Sequence, residues 1–293
     1  MVENKSFGHR LSMVIITLAL TALALFCILP FVHVIAASLS NSNKLAAAGF
    51  VLWPIEPNLD TYRYIFSTRT VSQGLFNSVF ITVAGTVINM IMTTLMAYPL
   101  AHNDMPGKKY FNFLVVFTMM FSGGTIPTYM VVKSLHMIDT YWSVLIPGAI
   151  NAFNLVILRN FFAQIPASLE ESARIDGASE FRILLQIMVP LSLASLATLT
   201  LFYAVAHWNS FQQPLLYLND STKWPIQILL RQMIILAANA GVGDSAAMAE
   251  DFVIPQQNVR MATVVVSVLP ILVVYPFLQK YFAKGVMVGS VKG

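Results

Sequence analysis

Six stretches of this chain contain no Asp, Glu, Lys or Arg: Leu11 to Ser40, Leu75 to Ala101, Tyr110 to Val132, Thr140 to Leu158, Ile183 to Leu218 and Met261 to Gln279. Each is close to or beyond the roughly 20 residues that a helix needs to cross a hydrocarbon layer about 30 Å thick. In such a layer every backbone N–H and C=O must be paired inside the protein, which leaves helices or a closed barrel. Runs this long are far beyond what a tilted barrel strand uses. The pattern therefore predicts an all-α integral membrane protein with six transmembrane helices. Composition agrees: 57% of residues are hydrophobic and 10% charged, against about 45–50% and roughly 25% in soluble domains. With so much of the chain committed to spans, residues 1–293 are expected to form a single membrane domain. The first stretch follows Lys5 and Arg10 and ends near Ala36-Ala37-Ser38, yet it is much longer than a secretory apolar region of about 7–15 residues. It is read as an uncleaved helix.

The net charge of +4 does not point to nucleic acid, because the basic residues are scattered and form no recognition motif. It fits membrane orientation better. With the N-terminus inside, 10 of the 17 Lys and Arg residues lie on cytoplasmic segments and 7 on the longer outer ones, as the positive-inside bias requires. An even number of spans returns the C-terminus to the same side. Prolines 30, 99, 127, 147, 190, 214, 270 and 276 fall in or beside apolar runs, where neighbouring helices re-satisfy the freed carbonyls. Trp53, Tyr62, Tyr64, Tyr141, Trp142, Trp208, Tyr217 and Trp224 gather toward the outer ends, as an interfacial aromatic belt does. Cys27 stands alone inside the first run and is expected to be a small core hydrophobe.

Between the fourth and fifth runs lies a polar island, Glu170-Glu171-Ser172-Ala173-Arg174-Ile175-Asp176-Gly177, and Ile187-Met188-Val189-Pro190 follows. Pro166 suits a first helical turn, Ser168 can cap it, and Glu170 and Glu171 stand near the positive end of the helix dipole. A short helix over Ala167 to Ile175 is predicted, with Glu170 and Arg174 paired four apart on its exposed face. Gly177 supplies a left-handed turn past the helix end. Ser179 can cap a second helix carrying Phe181, Leu184, Leu185 and Met188 up to Pro190. The island is thus a helix, a glycine elbow and another helix on the inner face.

These residues resemble the EAA loop of ABC importer permeases. That pattern has Glu-Ala-Ala, three intervening residues, a glycine, nine intervening residues, and then Ile, any residue, Leu and Pro. Here Glu171, Ala173, Gly177, Ile187 and Pro190 meet it, with Asp176 before the glycine as in many sugar-type members, while Ser172 and Val189 depart from it. Trp208-Asn209-Ser210-Phe211 with Pro214-Leu215 looks like the segment closing the fifth span in permeases of the maltose-importer, MalG-like group. The C-terminal Gly289 to Gly293 looks like that group's tail, and the longer ending Gly285 to Ser290 is similar to that of an LplC-like branch, which includes permeases for complex oligosaccharides and fragments such as alginate. The resemblance implies the six-helix, type I importer permease (MetI-like) fold. It also implies a cytoplasmic coupling loop at residues 161–190, in which Glu170, Glu171, Ser172, Ala173, Arg174, Asp176, Gly177 and Pro190 meet an ATP-binding subunit. Gly289, Ser290, Val291 and Lys292, in a cytoplasmic tail at 283–293, would reach the ATPases as well. The implied partners are a second homologous permease, two ATP-binding subunits that hold ATP and Mg, and an extracellular or periplasmic sugar-binding protein. The implied setting is lipid: the bacterial inner membrane, with several spans and both termini cytoplasmic. No cofactor, metal or nucleic acid is expected on this chain.

Residues facing the transport path are expected among Asn151, Asn154, Tyr203, Trp208, Asn209 and Gln212. Every acidic residue falls outside the spans, which argues against an ion-coupled carrier, since such carriers place ionisable groups within the membrane. There is no GxxxxGK[ST] phosphate loop and no catalytic constellation, so the energy source is expected on another subunit. His33, His102 and His136 are read as structural, while His207 beside Trp208 merits watching. The external segment 219–258 exceeds a simple turn. Its apolar part, Ile226 to Ala238, predicts a helix, and Gly241-Val242-Gly243-Asp244 a flexible tip. The other external loop, Asn41 to Ser72, is expected to meet the same outer partner. Uronate cargo would call for basic residues in the pore, and the spans here offer none. Alternatives that the sequence leaves open are a permease for peptides or amino acids, a secondary carrier or channel, and a membrane scaffold.

Overall fold

The computed structural model describes residues 7–41, 44–45, 48–239 and 257–290. They are mostly helical. The elements are α1 (Phe7–Ser38), α2 (Asp60–Ser67), α3 (Arg69–Ala101), α4 (Lys108–Met120), α5 (Thr125–Ser134), α6 (Trp142–Leu145) and α7 (Ala152–Phe162). They continue with α8 (Ala167–Ile175), α9 (Glu180–Ile183), a π-turn (Leu184–Met188), α10 (Val189–Leu191), α11 (Leu193–Trp208), α12 (Gln212–Tyr217), α13 (Ile226–Asn239) and α14 (Gln257–Ser290). The chain falls into two compact units, Met1–Ser72 with Leu230–Val268, and Gln73–Leu229 with Leu269–Gly293.

In the first unit, α1 is apolar all round, and none of its most hydrophobic window is buried. Leu18, Leu25 and Phe26 are 63–76% exposed, and among the described side chains the packed ones gather toward the end of the helix. There Ala36 and Ala37 join Leu45 and Val51 in a small core. Ser40 Oγ donates to the Ala36 carbonyl at 2.7 Å and accepts from the Ile55 amide at 3.0 Å. Val51 donates its amide to His33 Nδ1 at 3.1 Å, and Asn258 donates to Thr61 Oγ1 at 2.7 Å. Val51 and Ile55 are therefore stitched by side-chain bonds to the end of the helix before them. Cys27 is exposed on α1, so the expected core position is corrected: this stretch of α1 has no core of its own chain to enter.

The second unit holds the main core. Leu155, Leu158 and Phe162 of α7 pack with Ala97, Tyr98 and Leu100 of α3, with Ile183, Leu184 and Met188, and with Leu199 of α11. Phe162 is 1% exposed, and burial of a side chain of this size contributes about 1.5–3 kcal/mol. A second cluster joins Ile81, Val144, Leu145 and Leu218. Beside it, Ser78 Oγ accepts from the Ile226 amide at 2.9 Å, and Asn77 donates to the Thr222 and Trp224 carbonyls. These bonds satisfy backbone groups where α13 begins. The predicted helix at Ile226 to Ala238 is found, whereas the tip at residues 241–244 lies outside the described residues.

Among the described residues, three helices are long and apolar enough to cross a membrane by themselves: Leu11–Ser38, Arg69–Ala101 and Gln257–Val274. Two further candidates are broken pairs, α4 with α5 bent by 117° and the Glu180–Leu191 segment with α11 bent by 86°. Gly124, at φ +90°, stands in the first break, where only glycine is at ease. The fourth charge-free run departs most from expectation. Trp142–Leu145 is one turn, and α7 has 11 residues, which rise only about 16 Å. The cause is the Pro147-Gly148 pair inside an otherwise apolar run, which ends one helix and delays the next. The aromatic belt is also corrected in part, because Trp208 and Tyr217 are buried at 5% and 3% exposure.

Candidate functional site

The polar island folds much as its residues dictate. Helix α8 spans Ala167–Ile175, and Gly177 follows at φ +80°. The Ala178 amide returns to the Ala173 carbonyl at 2.9 Å and Gly177 to Arg174 at 3.0 Å, which satisfies the last carbonyls of the helix. Ser179 caps α9 by accepting from the Arg182 amide. The cap expected from Ser168 is not formed: Pro166 stands at the N-cap position and no side-chain bond closes that end.

The exposed Glu170–Arg174 pair is corrected more deeply. Glu170 is buried at 6% exposure. Its Oε2 lies 2.5 Å from His102 Nε2 and 3.5 Å from the Tyr98 hydroxyl, both at the end of α3. Arg174 stays within 3.6 Å of Glu170, but its closer partner is Glu180, met at 2.7 and 3.2 Å. That forked geometry is the stronger form of the contact, and it raises the guanidinium pKa further above its ordinary value. Tyr98 also donates to Glu180 at 2.6 Å. Glu171, Ser172 and Ile175 remain outside this cluster, and Ile175 is 86% exposed, unusual for an apolar side chain on a charged helix.

A second feature lies farther along α3. A chamber of about 430 Å³ is lined by Asn89, Val144, Gly148, Asn151, Tyr203, Ala206, His207, Asn209, Ser210, Phe211, Gln212 and Gln213, within the range of small-molecule sites. Four of the six residues expected on the transport path line it: Asn151, Tyr203, Asn209 and Gln212. Asn154 and Trp208 do not; both are buried, and the Asn154 amide donates to the Asn151 side chain that caps α7.

The hydrogen bonds fix the wall of the chamber. Asn89 donates to the Gly148 carbonyl at 2.6 Å, an atom that can only accept, so the other side of its amide is the oxygen. That oxygen lies 2.7 Å from His207 Nε2, which must therefore carry hydrogen. Tyr203 OH meets Thr93 Oγ1 at 2.7 Å and accepts the Asn151 amide at 3.2 Å. His207 packs so closely on α3 that a Cβ added at Gly85 would lie 2.5 Å from its ring. The sequence reading missed Asn89, Thr93, Gly85, Gly148 and Gln213. Asn89, a strong polar group deep in an apolar run, was the available signal.

Elsewhere in this unit, Lys223 Nζ meets Asp139 Oδ2 at 2.8 Å, and Asp139 Oδ1 accepts the Asn219 and Asp220 amides at 3.0 Å each. Lys223 and these amides hold the Asp139 carboxyl below its ordinary range, and Asp139 pushes Lys223 up. Of the tail residues, Gly289 and Ser290 close α14, while Val291 and Lys292 lie outside the described residues.

Residues 82–288 match the family described as the inner membrane component of binding-protein-dependent transport systems. The chain belongs to that family. The permease is 53% identical over 270 residues to the polygalacturonan/rhamnogalacturonan transport system permease protein YtcP of Bacillus subtilis (strain 168), covering 92% of this chain and 94% of that protein. It is 51% identical to protein LplC of the same organism over 91% of this chain and 90% of that one. Among solved structures, a chain of a bacterial ABC transporter involved in the import of the acidic polysaccharide alginate matches with a TM-score of 0.85. Its identity is 31%, over 94% of the permease and 98% of that chain.

Proposed function

We propose that the permease carries oligosaccharides built from uronic acids inward through the bacterial cytoplasmic membrane, driven by ATP-binding subunits that grip the elbow at Glu171 to Gly177. The observation that carries this reading is the elbow itself. A short helix, a left-handed Gly177 and a capped second helix stand at the spacing of the coupling loop, in a chain matched to the family over residues 82–288. The names of two relatives, for a polygalacturonan/rhamnogalacturonan permease and an alginate importer, support an acidic glycan. The chamber supports a sugar: its polar lining consists of amides, hydroxyls and one imidazole, which match hydroxyl-rich ligands by exchanging donors and acceptors. Neutral amide N–H groups serve a carboxylate there too, so the lack of a basic pore residue is no bar.

In this reading there are six crossings with both termini inside. The fourth is completed by the non-helical stretch around Pro147 to Ile150, which is tolerable at membrane depth where it lines a cavity. The partners are a second permease, two ATP-binding subunits holding ATP and Mg, and an outer sugar-binding protein. Residues 289–292 would approach the ATP-binding subunits from the tail.

Cross-linking tests the reading. With Cys27→Ser as background, Ile175→Cys should label only from the cytoplasmic side and cross-link to an ATP-binding subunit. Uronate oligosaccharide uptake in vesicles should require ATP hydrolysis. Labelling of Ile175→Cys from outside, or uptake without hydrolysis, defeats it.

A further inference from the structure

Glu170 stands just before the family pattern begins, yet it is the buried acid of the elbow. A buried carboxylate must find partners, and it finds them on α3. His102 Nδ1 lies 2.9 Å from the Tyr98 carbonyl oxygen, which only accepts, so that nitrogen carries hydrogen. The other ring nitrogen, Nε2, meets Glu170 Oε2 directly. On the far side of Gly177, Glu180 is held by Tyr98 at 2.6 Å and by Arg174 at 2.7 Å. Both arms of the elbow are thus tied to one place at the end of α3.

The same helix reaches the chamber. Thr93 stands five residues before Tyr98, about 7.5 Å along a helix, and meets the Tyr203 hydroxyl. Asn89, one turn earlier, holds both His207 and the Gly148 carbonyl. Helix α3 therefore bonds to the elbow at one end and to the chamber wall farther up, with no break between Arg69 and Ala101.

We propose that Tyr98 and His102 are positioning residues that clamp the elbow to α3 through Glu170 and Glu180, so that displacement of the elbow reaches Asn89 and Thr93 as movement of one helix. This rests on the reading above that an ATP-binding subunit grips the elbow. Two sites are coupled when one element with two positions is biased by both, and α3 is that element.

The test uses the complete transporter in proteoliposomes, with hydrolysis and uptake measured in the same vesicles. His102→Ala should leave the ATP-binding subunits bound and hydrolysing while uptake per ATP falls about fivefold or more, the lower end of usual coupling. His102→Gln, which keeps a donor toward Glu170, should recover most of the ratio. His102→Ala combined with Glu170→Gln should be no worse than the more severe single change, since both break one link. An unchanged ratio, independent losses that multiply, or equal defects in the Ala and Gln variants overturn the proposal. If His102→Ala does not assemble, Tyr98→Phe removes a single hydroxyl and is judged by the same ratio. Failure of the underlying reading is distinct: with Tyr98, His102 and Glu170 intact, Ile175→Cys in the Cys27→Ser background would then give no cross-link to the ATP-binding subunit.

Discussion

Replacing Gly85 by alanine drives a methyl group into the His207 ring. The added Cβ would lie 2.5 Å from both Cε1 and Nε2 and 2.8 Å from Cδ2, against about 3.5–4.0 Å for carbon contacts at rest. The ring must retreat by about 1 Å or more. His207 cannot do so freely, because Nε2 is bonded to Asn89 at 2.7 Å, and a retreat of that size carries the pair past the limit of a hydrogen bond. Overpacking costs about 1–3 kcal/mol and a broken buried bond about 1–3 more, while alanine regains about 1 kcal/mol over glycine in a helix. The net expectation is a loss of about 1–5 kcal/mol together with impaired uptake, since His207 lines the chamber. Thermal unfolding of the purified transporter and uptake in vesicles measure the two effects. Gly123→Ala is the control, as nothing lies within 4 Å of its added carbon. His207→Ala should rescue the stability of Gly85→Ala by removing the obstacle. If Gly85→Ala matches the control, or if His207→Ala adds to its cost, the packing argument is wrong.

Gly177→Val should weaken binding of the ATP-binding subunits and lower uptake. The space around Gly177 is open, so the damage comes from φ +80°, which costs a side chain about 1–2 kcal/mol and a β-branched one more. Co-purification reads this, and Gly177→Asn should be milder than Val. Tyr203→Phe should leave the Asn151 amide and Thr93 without their shared partner, costing about 1–2 kcal/mol and altering uptake more than assembly. The Asp139 clamp gives a pH window. A carboxyl with a lowered pKa contributes above its unfolded value near 3.8 and loses that contribution as pH falls through the folded value; Lys223, raised from 10.5, contributes below that and is lost as pH rises through its folded value. Hydrogen exchange at the Asn219 and Asp220 amides should stay slow between these limits and speed up outside them, and Asp139→Asn should make it fast throughout.

Much of the elbow was legible because its signals are local. A glycine after a helix, a serine before one and the spacing to Pro190 act within a few residues, and the bounds of α8 followed. Burial of Glu170 was not legible, because the partners that bury it, Tyr98 and His102, stand about seventy positions earlier and look like an ordinary helix end. The chamber was half legible for a similar reason. Amides near Pro147 and Trp208 advertise a polar site within an apolar sequence, but Asn89 joins them only through packing of α3. Counting charge-free runs worked where one helix fills one run. It failed at Thr140 to Leu158, where Pro147 and Gly148 split the run into pieces, and it did not foresee that the third and fifth runs would fold at sharp bends.

A chamber lined by neutral amides and hydroxyls holds a passenger by many bonds that each trade readily with water. A fixed ammonium there would tighten an anion's grip, and every 1.4 kcal/mol so gained lengthens the dwell time about tenfold. If the proposed function holds, residues such as Asn89, Asn209 and Gln212 instead leave the cargo quick to depart, which suits a conduit whose job ends when its load lets go.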